Sequence, residues 1–370
     1  MQQPLFKMGL SDNQNADGYH RNILCVPRAG CDVQHQVVRA MLLCRLSNRS
    51  NVPRETMKQG YMENVPRGTL VRQSEKNTSG RRKCFTSVKN RAIIKKKGAR
   101  RLIYAVGNQK GGVGKTTTVV NLGAWLGFHG KRVLCIDIDP QGNTTTGFGI
   151  KKRELRCSSY DVLVGKAKIT DCILETPFTG VSVLPATDDL AGCEIELSHA
   201  ENRMTRLKMQ LLTCKEQYDI VLIDCPPALG LLTLNGLTAA DEVIIPMLAE
   251  FYALEGLSQL TNTLKAVRSS LNPSLKIAGI LFVMFDPRLN VSRQVEAEVE
   301  KYFPGKVFQT KIPRNVRLSE APSHGKPVLY YDKSSKGAEA YEELGYELLK
   351  EAPPKKEKKL FLFGKKKEKE

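Results

Sequence analysis

The sequence predicts an α/β fold over residues 101–350, with a doubly wound, mostly parallel sheet and helices on both faces. Apolar runs alternate with helical stretches, a glycine-rich loop joins the first run to the first helix, and carboxylates follow two of the runs. Leu102–Val106 precedes the loop, Lys115–Phe128 is the predicted helix, and Arg132–Ile138 is the next strand. Strand–loop–helix–strand units of this kind build parallel sheets.

The later apolar runs continue the same pattern. Five further runs are short and apolar enough to be buried strands: Val181–Leu184, Ile220–Ile223, Glu242–Pro246, Ile277–Val283 and Val307–Thr310. The predicted helices Glu255–Leu271 and Ser292–Tyr302 separate some of these strands. Strands that alternate with helices favour a doubly wound domain over an antiparallel sandwich.

The positive charge of the chain lies at its two ends. Of 370 residues with a net charge of +19, residues 1–100 hold 20 lysines and arginines against 6 acids, and residues 351–370 hold 8 against 4. Residues 101–350 are nearly neutral, with 29 against 28. We therefore predict a basic, mostly disordered extension over 1–100 and a disordered lysine-rich tail over 351–370, both suited to polyanions.

The cysteines and the apolar runs bear on the compartment. Ten cysteines occur without a Cys-x-x-Cys pair, which predicts neither a metal site nor a disulfide framework. We expect them to be small buried side chains in a reducing environment. No apolar run is long enough to span a bilayer, and the N-terminus lacks the apolar core of a signal peptide. These features predict a cytoplasmic protein.

The glycine-rich loop predicts a nucleoside triphosphate site, with ATP and Mg²⁺ as its ligands. Glycines let backbone N–H groups approach phosphates, a lysine meets the β and γ charges, and a hydroxyl holds magnesium. The common pattern has a glycine where this chain has Gln109, and Lys110 follows it. The predicted nucleotide-binding residues are Lys110, Gly111, Gly112, Val113, Gly114, Lys115, Thr116 and Thr117.

Carboxylates follow two of the predicted strands. Asp137 and Asp139 close one apolar run, and Asp224 closes another. In open α/β sheets, ligands lie beyond the carboxyl ends of the strands. One such acid can hold magnesium, directly or through water, and another can orient the attacking water. The residues alone leave open whether Asp137 or Asp139 faces the phosphates, and an acid at a strand end is also a common turn former.

These motifs together resemble those of one ATPase family. The matching blocks are Lys110–Thr118, Asp137–Asn143, Tyr218–Pro227, Glu250–Gly256 and Ile312–Pro327. From about Arg101 to Leu349 the chain resembles the deviant Walker A ATPases of the P-loop NTPase fold. Within them it resembles the ParA (Soj-like) chromosome and plasmid partition family.

The resemblance implies roles for particular residues. Lys110 would reach across an ATP sandwich homodimer, Asp139 would organise the attacking water, and Asp224 would hold magnesium through its water shell. Lys115 and Thr116 would hold phosphate and magnesium. The implied catalytic residues are thus Lys110, Lys115 and Asp139, and the implied adenine pocket contains Pro313, Arg314 and Asn315.

The resemblance also implies partners. Hydrolysis in the family is weak and is stimulated by a ParB (Spo0J)-type centromere-binding protein, and the ATP dimer binds DNA without sequence preference. This chain would then be nucleoid-associated. Arg288 and Arg317 match family positions that contact DNA phosphates, and both lie in loop-like stretches. Ordinary salt-bridged surface arginines remain the alternative for both positions.

Rival functions stay open. A MinD-like ATPase that cycles on a membrane would need an amphipathic C-terminal helix, and Lys355–Glu370 has too few apolar residues for one, which argues against a membrane partner. An iron–sulfur carrier would need paired cysteines. A transcriptional regulator could bind an operator through residues 1–100 with ATP as effector. A separate possibility is that translation starts downstream, near Met57 or Met62 or beyond. The cargo could be a chromosome, a plasmid or a mobile element.

Overall fold

The computed structural model describes residues 101–250 and 253–353, and these residues form an eight-stranded sheet. The strands are β1 Leu102–Val106, β2 Val133–Asp137, β3 Leu174–Glu175, β4 Val181–Leu184, β5 Ile220–Asp224, β6 Glu242–Leu248, β7 Lys276–Phe285 and β8 Ile312–Pro313. Their order across the sheet is β3-β4-β2-β5-β1-β6-β7-β8. Every neighbouring pair is parallel except β3 with β4, so the predicted fold class is confirmed.

Helices cover both faces of this sheet. They are α1 Lys115–Phe128, α2 Asn143–Gly147, α3 Ser159–Val164, α4 Ile169–Cys172, α5 Cys193–Glu196, α6 Arg206–Leu211, α7 Leu231–Ala239, α8 Ala253–Ser270, α9 Asn290–Tyr302, α10 Val316–Glu320, α11 Val328–Tyr331 and α12 Lys336–Leu349. Helices α7, α8 and α9 contribute to one apolar cluster, and α1 and α12 contribute to the other. The strands between the clusters are buried on both sides, which is why they read as continuous apolar runs.

The packing of α1 against α12 fixes the first helix behind the loop. Trp125 and Tyr341 are among the largest fully buried side chains, and a Cβ atom on Gly345 would collide with the indole ring of Trp125. Only glycine allows the two helices to approach this closely. Because α1 carries the loop at its N-terminus, this contact holds the loop on a rigid support.

The predicted strand Val307–Thr310 is wrong. Val307 makes only an isolated bridge with Ile280, and the edge strand is instead β8, Ile312–Pro313. Phe308 is buried because its ring lies where a side chain on Gly279 would be, so this residue is covered by packing against β7. The segment has the apolar residues of a buried strand because packing buries Phe308, although the segment does not pair as a strand. The other predicted strands and helices are confirmed to within three residues at each end.

The prediction that no cysteine pairs is also wrong for two of them. Cys157, just before α3, and Cys172, at the end of α4, form a disulfide with Cα atoms 5.3 Å apart. The turn between α3 and α4 brings together residues that their spacing of 15 does not mark as a pair. Four others are free and buried, as expected: Cys135, Cys193, Cys214 and Cys225.

Two predictions fall outside the described part of the chain. The disordered extension over 1–100 and most of the lysine-rich tail over 351–370 lie beyond residues 101–250 and 253–353. Among the helices within those ranges, none combines the length and the hydropathy needed to cross a bilayer.

Candidate active site

The loop between β1 and α1 has the backbone of an anion cradle. Gly112 and Gly114 have φ angles of 71° and 73°, a left-handed backbone conformation that residues other than glycine rarely adopt. Apart from the adjoining residues, no atom of the described residues lies within 4 Å of where a Cβ atom would stand on Gly111 or Gly112, so the described residues leave this side of the loop open. The loop leads into the N-terminus of the 14-residue α1, where free N–H groups and the helix dipole favour an anion.

Lys115 is a buried cation at the base of this loop. Only 7% of the residue is exposed, and its Nζ donates a hydrogen bond to the Lys110 carbonyl at 3.1 Å. Burial lowers the pKa of Lys115, while the charges of Asp224 and Asp139 oppose that shift. A cation that has lost its water and has one neutral hydrogen-bond partner is strongly stabilised by an arriving anion.

Asp224 closes β5 and, like Asp137, is fully buried. Its Oδ2 accepts hydrogen bonds from the Thr116 hydroxyl at 2.7 Å and the Thr144 hydroxyl at 2.8 Å. Its Oδ1 is buried and has no hydrogen-bond partner within the described residues. Burial, together with the neighbouring Asp137, raises the pKa of Asp224 to about 8. The carboxylate form therefore lacks compensation that a bound cation would supply.

The oxygen atoms around Asp224 fit a magnesium ion. The Thr116 and Thr144 hydroxyls and the Asp224 carboxylate provide oxygen donors, with one carboxylate oxygen uncommitted. Magnesium prefers oxygen ligands and keeps several of its waters. This donor set sits at the first turn of α1, next to the phosphate cradle. Thr116 and Asp224, predicted separately as metal-binding residues, are thus brought together.

Asp137 and Asp139 occupy different environments, which the sequence left open. Asp137 faces Asp224 in the β2–β5 pair and accepts hydrogen bonds from the backbone and hydroxyl of Thr145 at 2.8 and 2.7 Å. Burial raises the pKa of Asp137 to about 6. Asp139 lies beyond the end of β2, where its Oδ1 accepts a hydrogen bond from the Gln141 backbone at 2.9 Å. Asp137 therefore holds α2 in place, and Asp139 stands in the loop.

Sequence reasoning missed Thr144 and Thr145. Both are fully buried on α2, and their hydroxyls bind Asp224 and Asp137 respectively. The matching block ended one residue before them, at Asn143. The signal available was a run of three threonines directly after the acidic loop, which placed hydroxyls within reach of two buried carboxylates.

The Lys110 side chain contacts Glu250, an acid that follows the end of β6. Its Nζ forms an ion pair with Glu250 Oε2 at 2.6 Å, and 40% of its side chain is exposed. Its backbone N–H donates to the Asn108 side chain at 3.1 Å. An exposed ion pair contributes at most about 1 kcal/mol, so a better anion displaces Glu250 readily.

The residues predicted for the adenine pocket lie at the sheet edge next to the loop. The Val283 side chain is within 3.6 Å of the position of a Cβ atom on Gly114, and Val283 pairs with Ile312 in β8. Pro313 is half-buried, Arg314 is exposed, and the Asn315 side chain caps α10 by accepting from the Leu318 backbone at 3.3 Å. The amide of Asn315 therefore already has a structural role.

The two predicted DNA-binding arginines are exposed and ion-paired. Arg288 donates to both oxygens of Asp286 at 2.9 and 2.7 Å, and this contact holds the pKa of Asp286 down to about 2. Arg317 pairs with Glu320 at 2.8 Å and with Asp332 at 3.2 Å. Both arginines lie just past the carboxyl ends of β7 and β8, on the same edge as the loop.

Comparisons with known proteins identify the family of this chain. A family described as an AAA domain matches residues 101–277. The sporulation initiation inhibitor protein Soj of Bacillus subtilis is 56% identical over 246 residues, which cover 66% of this chain and 97% of that protein. The chromosome partitioning protein ParA of Myxococcus xanthus is 51% identical over 253 residues, which cover 68% of this chain and 89% of that protein.

Solved structures share the fold. A Mycobacterium smegmatis protein described as cobyrinic acid a,c-diamide synthase, with bound ADP and magnesium, is 39% identical with a TM-score of 0.60; the match covers 68% of this chain and 95% of that one. MinD of Pyrococcus horikoshii with Mg-ADP is 28% identical with a TM-score of 0.57, covering 67% and 96%. The identity to partition proteins, over nearly their whole length, places this chain in the ParA/Soj family of chromosome-partitioning ATPases.

Proposed function

We propose that this protein is an ATP-dependent DNA partition ATPase whose ATP-bound homodimer binds DNA without sequence preference and releases it after slow hydrolysis. The single observation that carries the ATPase assignment is the buried Asp224 oxygen without a partner, beside an open phosphate cradle and a buried lysine. Relatives with bound ADP and magnesium support ATP and Mg²⁺ as the ligands.

Each residue of the site then has a definite task. The backbone N–H groups of 111–117 and the Lys115 ammonium bind the phosphates, and Thr116 and Asp224 hold Mg²⁺, Asp224 through water. The bound ion supplies neutralisation of the charge on the phosphoryl oxygens. Asp139 orients the attacking water, since it stands past the strand end while Asp137 is committed to Thr145.

Dimerisation follows from the position of Lys110. Its side chain is 40% exposed, and among the described residues its ion-pair partner is Glu250. In the proposed dimer this ammonium leaves Glu250 and binds the phosphates held by the second subunit, so each site needs both chains. ATP binding therefore promotes dimer formation, and slow hydrolysis leads to dissociation of the dimer.

DNA binding follows from charges on the same edge. Arg288 and Arg317 would exchange their carboxylate partners for DNA phosphates, which costs little because surface ion pairs are weak. A ParB (Spo0J)-type protein bound to a centromere-like site would accelerate hydrolysis and release the DNA. The protein would accordingly be associated with the nucleoid.

The test is a binding assay on the full-length protein with a random-sequence DNA duplex and with anionic vesicles, each with ATP, with ADP and without nucleotide. The proposal expects DNA binding that requires ATP and no nucleotide-dependent vesicle binding. ATP-dependent vesicle binding without DNA binding would instead assign a MinD-like membrane cycle. Binding to one operator duplex, added to the assay, without binding to the random-sequence duplex would assign a transcriptional regulator.

A further inference from the structure

A second cleft lies at the end of the sheet opposite the nucleotide site. It has a volume of about 220 Å³ and is bounded by the second half of α8, the start of β7 and the residue after α9. Its floor is apolar and contains Val243, Leu264, Leu275, Ile277 and Phe303. Because Lys276 begins β7, the cleft is at the amino ends of parallel strands whose carboxyl ends carry the nucleotide loop.

Among the described residues, every charged side chain on the rim of this cleft is a cation. Lys265, Arg268 and Lys276 line the cleft and are exposed, and its described lining residues include no acid. Within the described ranges, the side chains of these three residues form no hydrogen bond or ion pair, although the Lys276 backbone N–H donates to the Asp241 carbonyl at 3.1 Å. The arginines at the other edge differ, since Arg288 and Arg317 both have carboxylate partners.

Local structure does not account for this cationic rim. A cation in the last turn of a helix interacts with the helix dipole, which explains Arg268 at the end of α8. Lys276 is on a strand and gains nothing from that dipole. Glu242 lies beside Lys276 in the β6–β7 pair, yet the two form no ion pair. Three neighbouring cations without partners create a local positive potential that attracts an anion.

We propose that this cleft docks a short acidic segment of a partner protein, with one bulky apolar side chain on the floor and flanking carboxylates on Lys265, Arg268 and Lys276. Its volume is below the roughly 300–1,000 Å³ of small-molecule sites and suits a single side chain. The apolar floor would hold an apolar side chain, and the cationic rim would bind the carboxylates next to it.

Other occupants fit less well. The ends of this chain are basic, with 20 cations against 6 acids over 1–100 and 8 against 4 over 351–370, so the rim repels them. A DNA backbone would satisfy the cations but has no apolar group for the floor. The docked segment would not compete with nucleotide or DNA, because ten-residue β7 separates the two edges by about 30 Å.

The direct test is a methyl NMR titration of the full-length protein with labelled isoleucine, leucine and valine. The probe is a short peptide with a central phenylalanine flanked by aspartates. One control peptide has lysines in place of the aspartates, and a second has serine in place of the phenylalanine. We expect saturable shifts at the Leu264 and Ile277 methyls, no shift at Val113 in the nucleotide loop, and no saturable binding of either control peptide.

Charge reversal at the rim tests the same site without disturbing the core. The double variant Lys265→Glu/Arg268→Glu should bind the acidic peptide at least about tenfold more weakly. Lys208→Glu, which reverses an exposed lysine on α6 outside the cleft, should bind it like the wild type. The substituted side chains are on the surface, so we expect both variants to fold. Normal ATP binding by each variant checks this.

Three results would overturn the proposal. The first is the absence of saturable shifts at Leu264 and Ile277 with the acidic peptide. The second is equal peptide affinity of the wild type and the rim variant. The third is a DNA duplex that produces the same methyl shifts at lower concentration than the peptide, which would make the cleft part of a nucleic-acid surface.

Discussion

The nucleotide loop and the arginine-bearing loops share one edge of the sheet but hold their charges in opposite ways. At the nucleotide loop, Lys115 and Asp224 are buried, and Asp224 keeps one oxygen without a partner. The guanidinium groups of Arg288 and Arg317 are exposed and already paired with carboxylates. A ligand of opposite charge strongly stabilises a buried charge that lacks a partner. A ligand at a paired surface charge must first displace that partner, so its net binding free energy is smaller.

The largest effect should follow from removing the buried cation. Lys115→Ala leaves the incoming phosphates without their buried counter-charge, and we expect ATP affinity to fall at least about 100-fold. A titration with a fluorescent ATP analogue measures this loss. Lys131→Ala, at a partly exposed lysine paired with Glu351, should leave affinity unchanged. A Lys115 variant with near-normal affinity would show that the buried charge does not serve the phosphates.

The next largest effect should follow from removing the carboxylate that orients water. Asp139→Ala should retain ATP binding and lower the hydrolysis rate about 100-fold or more, the usual contribution of a positioned general base. A phosphate-release assay measures the rate, and Asp188→Ala, an exposed acid paired with Lys152, is the control. Normal turnover by the Asp139 variant would transfer the role to another residue.

The surface arginines should give a smaller and more uniform effect. Arg288→Ala and Arg317→Ala should each weaken DNA binding about tenfold and reduce the salt dependence by about one phosphate contact, with ATP affinity unchanged. DNA affinity measured at several salt concentrations gives both quantities. Arg132→Ala removes an arginine paired with Asp219 at the start of β2 and should leave DNA binding intact. If the salt slope of the two loop variants stays at the wild-type value, both arginines serve only their ion pairs.

The smallest effect concerns the pH dependence of stability without nucleotide. Asp137 and Asp224 have folded pKa values of about 6 and about 8, above the 3.8 of an ordinary carboxyl group. The folded state therefore holds protons more tightly, and these groups lose stabilising free energy as pH rises from about 4 towards 8. Asp224→Asn should raise Tm at pH 8 by at least about 2–4 °C and make Tm vary less with pH.

Thermal unfolding of the wild type and of Asp224→Asn across this pH range measures both changes. A control variant, Asp219→Asn, removes an acid whose pKa is lowered by its hydrogen bond with Arg132, and it should lose Tm at pH 8. Equal Tm values for Asp224→Asn and the wild type at every pH would mean that the buried carboxylate carries no unfavourable charge.

Local sequence signals predicted the first half of the site well. The bounds of β1 and α1 were correct because a short apolar run, positive-φ glycines and a helix start are properties of consecutive residues. The acids at the ends of β2 and β5 were also correctly placed at one sheet edge, since parallel strands bring their carboxyl ends together. Whether each residue performs its predicted role stays a prediction.

Contacts between distant residues were out of reach of the sequence. The ring of Phe308 covers Gly279, so an apolar segment is buried without becoming a strand. Cys157 and Cys172 meet because α3 and α4 turn back on each other. The distinction between Asp137 and Asp139 depends on Thr145, whose hydroxyl reaches Asp137 only after α2 has folded over β2.

In the proposed dimer, Lys110 of a second subunit completes the nucleotide site. Sedimentation velocity of the full-length Asp139→Ala variant with ATP and Mg²⁺ tests it, because blocked hydrolysis should preserve any dimer. We expect twice the 41.2 kDa monomer mass with ATP, the monomer mass with ADP, and the monomer mass with ATP when Lys110→Ala is added. A Lys110→Ala/Asp139→Ala protein that still dimerises with ATP would contradict the claim.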